Sequence, residues 1–189
     1  MSRPAVFLDR DGTIIEEVNY LRSLDQLKLF PWSARAVRAL NEAGYAVVVI
    51  TNQAGVARGL FDEAHVEATH GALTEALAAQ GAHIDAYYYC PHHPDAADER
   101  YRQECACRKP APGLVLRAGD EMGLDLSRSW MVGDRWGDIE AGVSAGARGI
   151  LVRTGYGAQD AAAPPANARA DAILDNLMEA VDWILRSSR

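Results

Sequence analysis

Short apolar segments alternate with helix-like segments along most of this chain. Runs of apolar, β-branched or aromatic residues lie at positions 4–9, 45–51, 84–90, 129–134 and 149–154. Helical patterns occupy residues 33–43, 62–80, 112–122 and 175–186, and the first three begin at Ser, Asp or Pro and end beside Gly. Near-continuous apolar strands that alternate with helices are typical of a parallel sheet covered on both faces. The sequence therefore predicts an α/β fold with a doubly wound parallel sheet.

Polar residues follow four of the predicted strands at the point where each strand ends. These endings are Asp9-Arg10-Asp11-Gly12-Thr13, Thr51-Asn52-Gln53-Ala54-Gly55, Cys90-Pro91-His92 and Gly133-Asp134. Doubly wound folds bind their ligands beyond the carboxyl ends of the strands. We therefore expect the four endings to meet in one site.

Asp9 and Asp11 form the most informative pair in the sequence. Residues two apart in an extended segment point the same way, so both carboxylates are expected to face one pocket. Two like charges this close resist joint ionisation, which provides one base or nucleophile and one acid. Taken alone, DxDG is also an ordinary surface turn. A hydroxyl at Thr51, a cation at Lys109 and a third acid at Asp134 favour a catalytic site instead.

Two neighbours of these acids have alternative interpretations. Asp138 follows Asp134 by about one helical turn, so it could orient a metal-bound water or Lys109. It could equally be an acid that the helix dipole favours in the first turn of a helix. Arg10 could contact substrate or could be a solvated side chain on the opposite face of the strand, and we favour the solvated position.

The three cysteines lie in two short ligand pairs, CPH at 90–92 and CAC at 105–107, on one polar loop. Their odd number argues against a disulfide scaffold, whereas thiolates and an imidazole suit a tetrahedral Zn²⁺. Packing of the cysteines as small apolar side chains fits poorly with the polar residues between the pairs. The predicted ligands of a closed, structural zinc site are Cys90, His92, Cys105 and Cys107. His93 competes with His92, but the side chains of residues 90 and 92 leave the same face of an extended turn.

This zinc loop, about residues 90–107, leads directly into Arg108 and Lys109. We expect the loop to position Lys109 for catalysis and to direct Arg108 into the pocket. A guanidinium there can bind a second phosphate or a carboxylate bidentately.

Composition and charge exclude several classes of protein. Apolar residues make up 49% and charged residues 24% of the chain, which argues against a disordered or fibrous protein. The longest wholly apolar stretch, residues 45–50, is far shorter than the ~20 residues that cross a membrane. The net charge of −7 argues against a nucleic-acid binder but not against a small phosphorylated substrate. The N-terminal segment lacks an export pattern, so we expect a cytoplasmic protein with neither a nucleic-acid nor a membrane partner.

Four segments, in order, resemble the four motifs of the haloacid-dehalogenase-type phosphohydrolases. They are DRDGT at 9–13, VVVITN at 47–52, the lysine of RKPAPG at 108–113 and VGDRWGDIEAG at 132–142. The resemblance implies that Asp9 is the nucleophile of an aspartyl-phosphate mechanism and that Asp11 is the general acid and base. It implies that Thr51 and Lys109 hold the transferring phosphoryl oxygens, together with the backbone N–H of Asn52.

The same resemblance implies a bound Mg²⁺. The ion is expected between Asp9, the backbone carbonyl of Asp11, Asp134 and the phosphate. Without such a cation, a carboxylate that attacks a phosphate dianion meets severe repulsion.

The spacing of the motifs leaves no room for a cap domain. Only a loop and a helix are expected between Asp11 and Thr51, and only a helix, a strand and the zinc loop between Thr51 and Lys109. We therefore expect one domain, residues 1–189. An uncapped member with this zinc loop resembles the D-glycero-D-manno-heptose 1,7-bisphosphate 7-phosphatases and their relatives, the histidinol-phosphate phosphatases. The long cysteine loop and residues 16–29 are similar to the heptose enzymes.

This resemblance implies Mg²⁺-dependent removal of the C7 phosphate of the heptose bisphosphate, for the synthesis of nucleotide-activated heptose and lipopolysaccharide core. The implied substrate contacts are Glu17, Val18, Asn19, Tyr20, Thr51, Asn52, Gln53, Ala54, Arg108, Lys109 and Arg135. Arg135 stands where we expect a lysine, so the charge is kept while the geometry can differ. We expect the protein to act as a monomer.

Three other functions are compatible with part of the sequence. Histidinol-phosphate phosphatase is the alternative enzyme. A phospho-receiver module also uses acids after the first strand, a Thr and a Lys, but it gives no reason for the DxDGT spacing or the zinc loop. A zinc-ribbon interaction protein is disfavoured by the acidic charge and by the catalytic set.

Overall fold

The computed structural model describes residues 2–187, so the first residue and the last two of the predicted domain 1–189 lie outside the described residues. Six strands form one sheet in the order β3-β2-β1-β4-β5-β6, and every neighbouring pair is parallel. The strands are β1 (Ala5–Leu8), β2 (Ala46–Asn52), β3 (Ala86–Cys90), β4 (Trp130–Gly133), β5 (Arg148–Val152) and β6 (Ala172–Leu174). The α/β class with a doubly wound parallel sheet is confirmed.

Helices follow the strands and cover the sheet. They are α1 (Ser33–Glu42), α2 (Ala54–Ala57), α3 (Glu63–Ala78), α4 (Gly113–Met122), α5 (Trp136–Ser144), α6 (Gly157–Ala162) and α7 (Leu177–Ser187). The sequence patterns do not predict β6, α2 or α6, because three to six residues are too few to show a period. Within residues 2–187, none of the helices has both the length and the apolar character that crossing a membrane requires.

The strands bury side chains on both faces of the sheet, which is why their sequences are almost continuously apolar. Alternate residues of β1 belong to two separate apolar clusters, Val6 and Leu8 to one and Ala5 and Phe7 to the other. Helices α1 and α7 complete the first cluster, and α4 completes the second. Because helices cover both faces of the sheet at β1, neither face of this strand is exposed to solvent.

The chain reverses its direction of travel across the sheet at β1. Strands β2 and β3 lie on one side of β1, and β4, β5 and β6 lie on the other. The carboxyl ends of β1 and β4 therefore flank a topological switch point, where open α/β sheets form a crevice. Between β1 and β2, the described chain forms loops, a 3-10 turn at Leu24–Gln26 and α1, and no cap domain is inserted there.

Candidate active site

A polar cavity of about 570 Å³ opens beyond the carboxyl ends of β1, β2 and β4. Its walls include nearly all the residues predicted for the site, namely Asp9, Asp11, Glu17, Asn19, Tyr20, Thr51, Asn52, Gln53, Ala54, Arg108, Lys109, Asp134 and Arg135. Val18 is not among the lining residues, and its side chain packs against the larger apolar cluster. Three of the four strand endings line the cavity, whereas Cys90-Pro91-His92 after β3 does not, so the expectation that all four meet in one site holds only in part.

Asp9 and Lys109 form a buried ion pair at the bottom of the cavity. The Lys109 Nζ atom donates to Asp9 Oδ1 at 2.6 Å and to the Ile50 carbonyl at 2.7 Å. Only 8% of Asp9 and 7% of Lys109 is exposed. Burial alone lowers the pKa of Lys109, but the carboxylates of Asp138 and Asp9 outweigh it and hold the pKa above its usual value. The ammonium is therefore a fixed positive charge beside Asp9.

Asp138 has both of the roles considered for it. Its Oδ1 atom lies 2.7 Å from Lys109 Nζ, and its Oδ2 atom accepts from the backbone N–H of Arg135 at 3.0 Å. Asp138 thus stabilises the first turn of α5 and orients Lys109.

Asp134 lies against the backbone of two glycine-containing turns. Its Oδ2 atom accepts from the backbone N–H of Tyr156 at 2.8 Å. Gly12 has a φ of 82°, and a Cβ atom there would overlap the Asp134 carboxylate. Glycine at this position therefore allows the turn after β1 to approach the end of β4.

Three buried carboxylates converge at this point against one ammonium group. Oxygen atoms of Asp9, Asp134 and Asp138 lie within 4.8 Å of one another. Burial raises the pKa of Asp9 to about 7, although Lys109 opposes the shift. Burial and the charge of Asp9 raise the pKa of Asp134 to about 8. Hard oxygen donors with this uncompensated negative charge fit a divalent cation such as Mg²⁺.

The Arg10 side chain is not solvated, so the expectation of a solvated arginine is wrong. Arg10 is only 2% exposed, and its guanidinium binds the neighbouring Asp11 carboxylate, with Nη2 at 2.9 Å from Oδ2. The physical reason is that β1 ends at Leu8, so Arg10 lies in the turn after the strand and lines the cavity, where the surrounding elements bury it. Arg10 pairs with Asp11 there because a buried guanidinium needs a compensating charge.

Gln53 and Asn52 connect the end of β2 to the catalytic groups. The Gln53 Nε2 atom donates to Thr51 Oγ1 at 2.8 Å and to Asp11 Oδ2 at 3.0 Å. The Asn52 side chain exchanges two hydrogen bonds with the Lys109 backbone, at 3.0 and 3.1 Å. These contacts fix Thr51 and Lys109 relative to each other.

The loop at residues 17–20 forms one wall of the cavity in a strained backbone conformation. Asn19 and Tyr20 have φ values of 51° and 74°, a region that residues with a Cβ atom seldom adopt. Glu17 Oε1 accepts from the Asn19 backbone N–H at 2.5 Å. Burial raises the pKa of Glu17, and the charge of Asp11 adds to this shift.

Three arginines line the cavity, and the two besides Arg10 have different anchors. Arg108 Nη1 donates to the His92 carbonyl at 3.2 Å, which connects it to the cysteine loop. The Arg135 guanidinium lies 3.9 Å from the centre of the Tyr156 ring and has Asp160 Oδ1 at 3.9 Å from its Nη1. Each arginine therefore has a defined orientation before any ligand binds.

The side chains of the predicted zinc site come together in the structure. The Cys107 Sγ atom lies 3.1 Å from that of Cys90, 3.2 Å from that of Cys105 and 3.3 Å from His92 Nδ1. Tetrahedral thiolates at ~2.3 Å from Zn²⁺ are about 3.8 Å apart, so the cluster is close to the required size. His93 points elsewhere, with Nδ1 accepting from the Asp95 backbone N–H.

A second set of contacts fastens the same loop to α3. Glu63 accepts from the hydroxyl of Tyr89 at 2.7 Å and from that of Tyr101 at 2.8 Å. These two hydrogen bonds lower the pKa of Glu63. The loop is thus held at its cysteine end and near its middle.

The cavity has further lining residues that were not predicted from the sequence, notably Leu21, Gly137, Tyr156 and Asp160. Tyr156 and Asp160 belong to the segment that follows β5, far from the recognised motifs. A signal for them existed, because residues 154–157 form a polar, glycine-rich ending after the fifth strand.

Comparison with known proteins places this site in a family. A family model described as HAD-hydrolase-like matches residues 106–180. The D-glycero-β-D-manno-heptose-1,7-bisphosphate 7-phosphatase of Escherichia coli (strain K12) is 42% identical over 179 residues, which is 94% of this chain and 92% of that protein. The protein of the same name from Pseudomonas aeruginosa PAO1 is 42% identical over 165 residues, 87% of this chain and 89% of that protein.

Solved structures agree with the sequence relatives. The D,D-heptose 1,7-bisphosphate phosphatase of B. bronchiseptica, crystallised with magnesium and phosphate, superposes with a TM-score of 0.86 at 34% identity, covering 97% of this chain and 99% of that one. The enzyme of the same name from Burkholderia thailandensis gives a TM-score of 0.70 at 31% identity, with the same coverage. The chain therefore belongs to the family of the D-glycero-β-D-manno-heptose-1,7-bisphosphate 7-phosphatases, a family of phosphoric monoester hydrolases.

Proposed function

We propose that this protein is a Mg²⁺-dependent phosphatase that removes the C7 phosphate of D-glycero-β-D-manno-heptose 1,7-bisphosphate through an aspartyl phosphate. The product, heptose 1-phosphate, would then enter the synthesis of nucleotide-activated heptose for lipopolysaccharide core. The β-anomer is taken from the names of the relatives. The observation that carries the proposal is the buried Asp9 carboxylate held at 2.6 Å from the Lys109 ammonium, at the bottom of a polar cavity.

Asp9 is proposed as the nucleophile. Lys109 binds Oδ1, which leaves Oδ2 to attack phosphorus, so a bond from Oδ2 to phosphorus forms while the bond to the C7 oxygen breaks. Lys109 and the Thr51 hydroxyl stabilise the charge on the phosphoryl oxygens, with the backbone N–H of Asn52. Phosphate monoesters are among the slowest compounds to hydrolyse in water, so this stabilisation is essential.

Asp11 is proposed to move the protons in both steps. It donates a proton to the C7 oxygen as that oxygen leaves, and it then accepts a proton from the water that attacks the aspartyl phosphate. The second step forms a bond from water to phosphorus and releases the Asp9 carboxylate. The Asp11 carboxylate lies on the cavity wall, within reach of a ligand held by Asp9.

Two metal ions complete the proposal. Asp9, Asp134 and the backbone carbonyl of Asp11 would hold Mg²⁺, which, when bound, supplies the positive charge that lets a carboxylate approach a phosphate dianion. The cysteine cluster would hold Zn²⁺ in a closed, structural site.

The second phosphate of the substrate would give a role to Arg108 and Arg135, the two cavity arginines that do not bind Asp11. We propose that Arg108 and Arg135 bind the anomeric phosphate, which is not cleaved, while the strained loop with Glu17, Asn19 and Tyr20 contacts the sugar. A guanidinium suits this task because it binds a phosphate through two parallel hydrogen bonds.

The experiment that tests the function is a comparison of phosphate release from three substrates with Mg²⁺. The substrates are the β- and α-anomers of heptose 1,7-bisphosphate and histidinol phosphate. We expect the β-anomer to have the highest kcat/KM, one phosphate to be released per sugar and a chelator to stop the reaction. Preference for histidinol phosphate would replace the proposal with the alternative enzyme, and release of the anomeric phosphate would contradict it.

A further inference from the structure

Arg10 is a buried arginine in the turn after β1, on the lining of the cavity. Its side chain is buried, and its Nε and Nη2 atoms reach both oxygens of Asp11 at 2.9 to 3.2 Å. Its Nη1 atom is buried and has no hydrogen-bond partner among the described residues. An unpaired buried donor destabilises the folded state, and an apolar residue of similar volume often serves stability as well as a buried ion pair does. Stability therefore gives little reason for an arginine here.

Arg10 and Gln53 both donate hydrogen bonds to the Asp11 carboxylate, and they belong to different parts of the chain. Arg10 belongs to the turn after β1, and Gln53 lies directly after β2. Gln53 Nε2 donates to Asp11 Oδ2 at 3.0 Å and to the Thr51 hydroxyl at 2.8 Å. Arg10 and Gln53 contact Asp11 only through N–H donors, so both residues hold the Asp11 side chain as a hydrogen-bond acceptor.

We infer that Arg10 and Gln53 are positioning residues that hold the Asp11 carboxylate ready to take a proton from water in the second step of the reaction. This inference rests on the proposed phosphoryl transfer through Asp9, but it does not depend on which sugar phosphate is the substrate. In that step the water oxygen bonds to phosphorus, the bond from Asp9 to phosphorus breaks and the water proton passes to Asp11. The same proton is available for the leaving oxygen of the next substrate.

The inference predicts which step fails when Arg10 is replaced. An aryl phosphate such as 4-nitrophenyl phosphate needs little protonation of its leaving group, so attack by Asp9 stays fast. Hydrolysis of the aspartyl phosphate still needs Asp11 as a base and becomes slow. We therefore expect Arg10→Met to release a burst of about one nitrophenolate per chain, followed by a steady state about 10²-fold slower than that of the wild type.

Rapid-mixing kinetics with 4-nitrophenyl phosphate and Mg²⁺ test this expectation, with folding checked by circular dichroism. Gln53→Met removes the second donor without a charge change, and we expect a smaller burst with a rate about 5- to 10-fold lower. If Arg10→Met does not fold, the Gln53→Met result decides. Arg117→Met is the matched control, because Arg117 lies on α4 outside the cavity and pairs with a carboxylate other than Asp11, that of Glu121 at 2.7 Å, and we expect the wild-type time course from it.

The outcomes separate the two proposals. A slow steady state without a burst, an unchanged rate in both folded variants, or an equal burst in Arg117→Met would overturn the positioning role. The substrate comparison remains independent, because failure to cleave the heptose bisphosphate would overturn the proposed substrate while the nitrophenyl experiment still reads the role of Arg10. A wild-type protein that cleaves neither substrate would overturn both.

Discussion

The Arg135 guanidinium lies over the Tyr156 ring, with its central carbon 3.9 Å from the centre of the ring. The backbone N–H of the same tyrosine binds Asp134. Asp160 lies on the far side, with its Oδ2 atom accepting from the Trp136 backbone N–H at 2.9 Å. One residue of the α6 segment thus contacts both a proposed metal ligand and a proposed phosphate ligand.

We predict that Tyr156→Leu weakens recognition of the second phosphate. Loss of an arginine–aromatic contact worth about 0.5–2 kcal/mol should raise KM for the heptose bisphosphate about 2- to 30-fold. KM for heptose 7-phosphate, which lacks the anomeric phosphate, should change much less. Tyr156→Phe keeps the ring and should retain the selectivity. Equal effects on both substrates, or additive effects of Tyr156→Leu and Arg135→Ala in a double-mutant cycle, would contradict the prediction.

Replacing the proposed nucleophile should abolish turnover without unfolding the protein. For Asp9→Asn we predict a fall in kcat of about 10⁴-fold or more. The fold should persist because Lys109 keeps Asp138 at 2.7 Å as a counter-charge, and removal of one of three crowded carboxylates relieves repulsion. Steady-state kinetics and thermal denaturation check both parts. Substantial residual activity would exclude Asp9 as the nucleophile, and a large drop in Tm would show that its role is structural.

Removal of one thiolate should release zinc from the cysteine loop. We predict that the wild-type protein contains about one zinc per chain and that Cys107→Ser contains almost none, because Cys107 contacts the three other ligands. His93→Ala is the matched control and should keep its zinc. Elemental analysis measures the metal, and limited proteolysis measures the order of the loop. A zinc-free wild type, or zinc loss in His93→Ala alone, would show that the ligand set is wrong.

The stability of the protein should depend on pH through His70, which packs on Tyr87 with ring centroids 4.5 Å apart. Burial, followed by the charge of Arg10, lowers the pKa of His70 to about 4 from 6.5. The unfolded chain therefore binds the proton more readily between these values, so stability is full above pH 6.5 and is lost as the pH falls towards 4. The loss at pH 5 amounts to about 2 kcal/mol.

Urea denaturation at pH 7.5 and pH 5 measures this dependence. Asp9 and Asp134 have raised pKa values and change stability in the opposite direction, so the comparison must be made with His70→Gln. We expect the difference in unfolding free energy between the two proteins to shrink at pH 5. A difference that does not vary with pH would contradict the assignment.

The sequence predicts those site residues that belong to a recognisable local motif. It does not predict the residues whose role depends on contacts between distant parts of the chain. Asp9 and Lys109 are predictable because each follows a recognisable element in a recognisable motif. Arg10 is placed wrongly because strand alternation is extended past the end of β1, whereas the turn that follows directs this side chain to Asp11 and the cavity. Tyr156 and Asp160 escape because their importance arises from packing on Arg135, a residue distant in sequence.

Lys109 follows Cys107 by two residues, and its backbone is clamped by Asn52 on the opposite side. On the proposed zinc assignment, the ammonium at the reaction centre has two anchors, the zinc ligands that precede it in the chain and the end of β2. A shortage of zinc would then reduce activity without unfolding the protein. The apolar layers around the sheet would keep the molecule folded, while Lys109 would lose its fixed position beside Asp9. Such a protein would remain folded but inactive, and it would regain activity when zinc becomes available again.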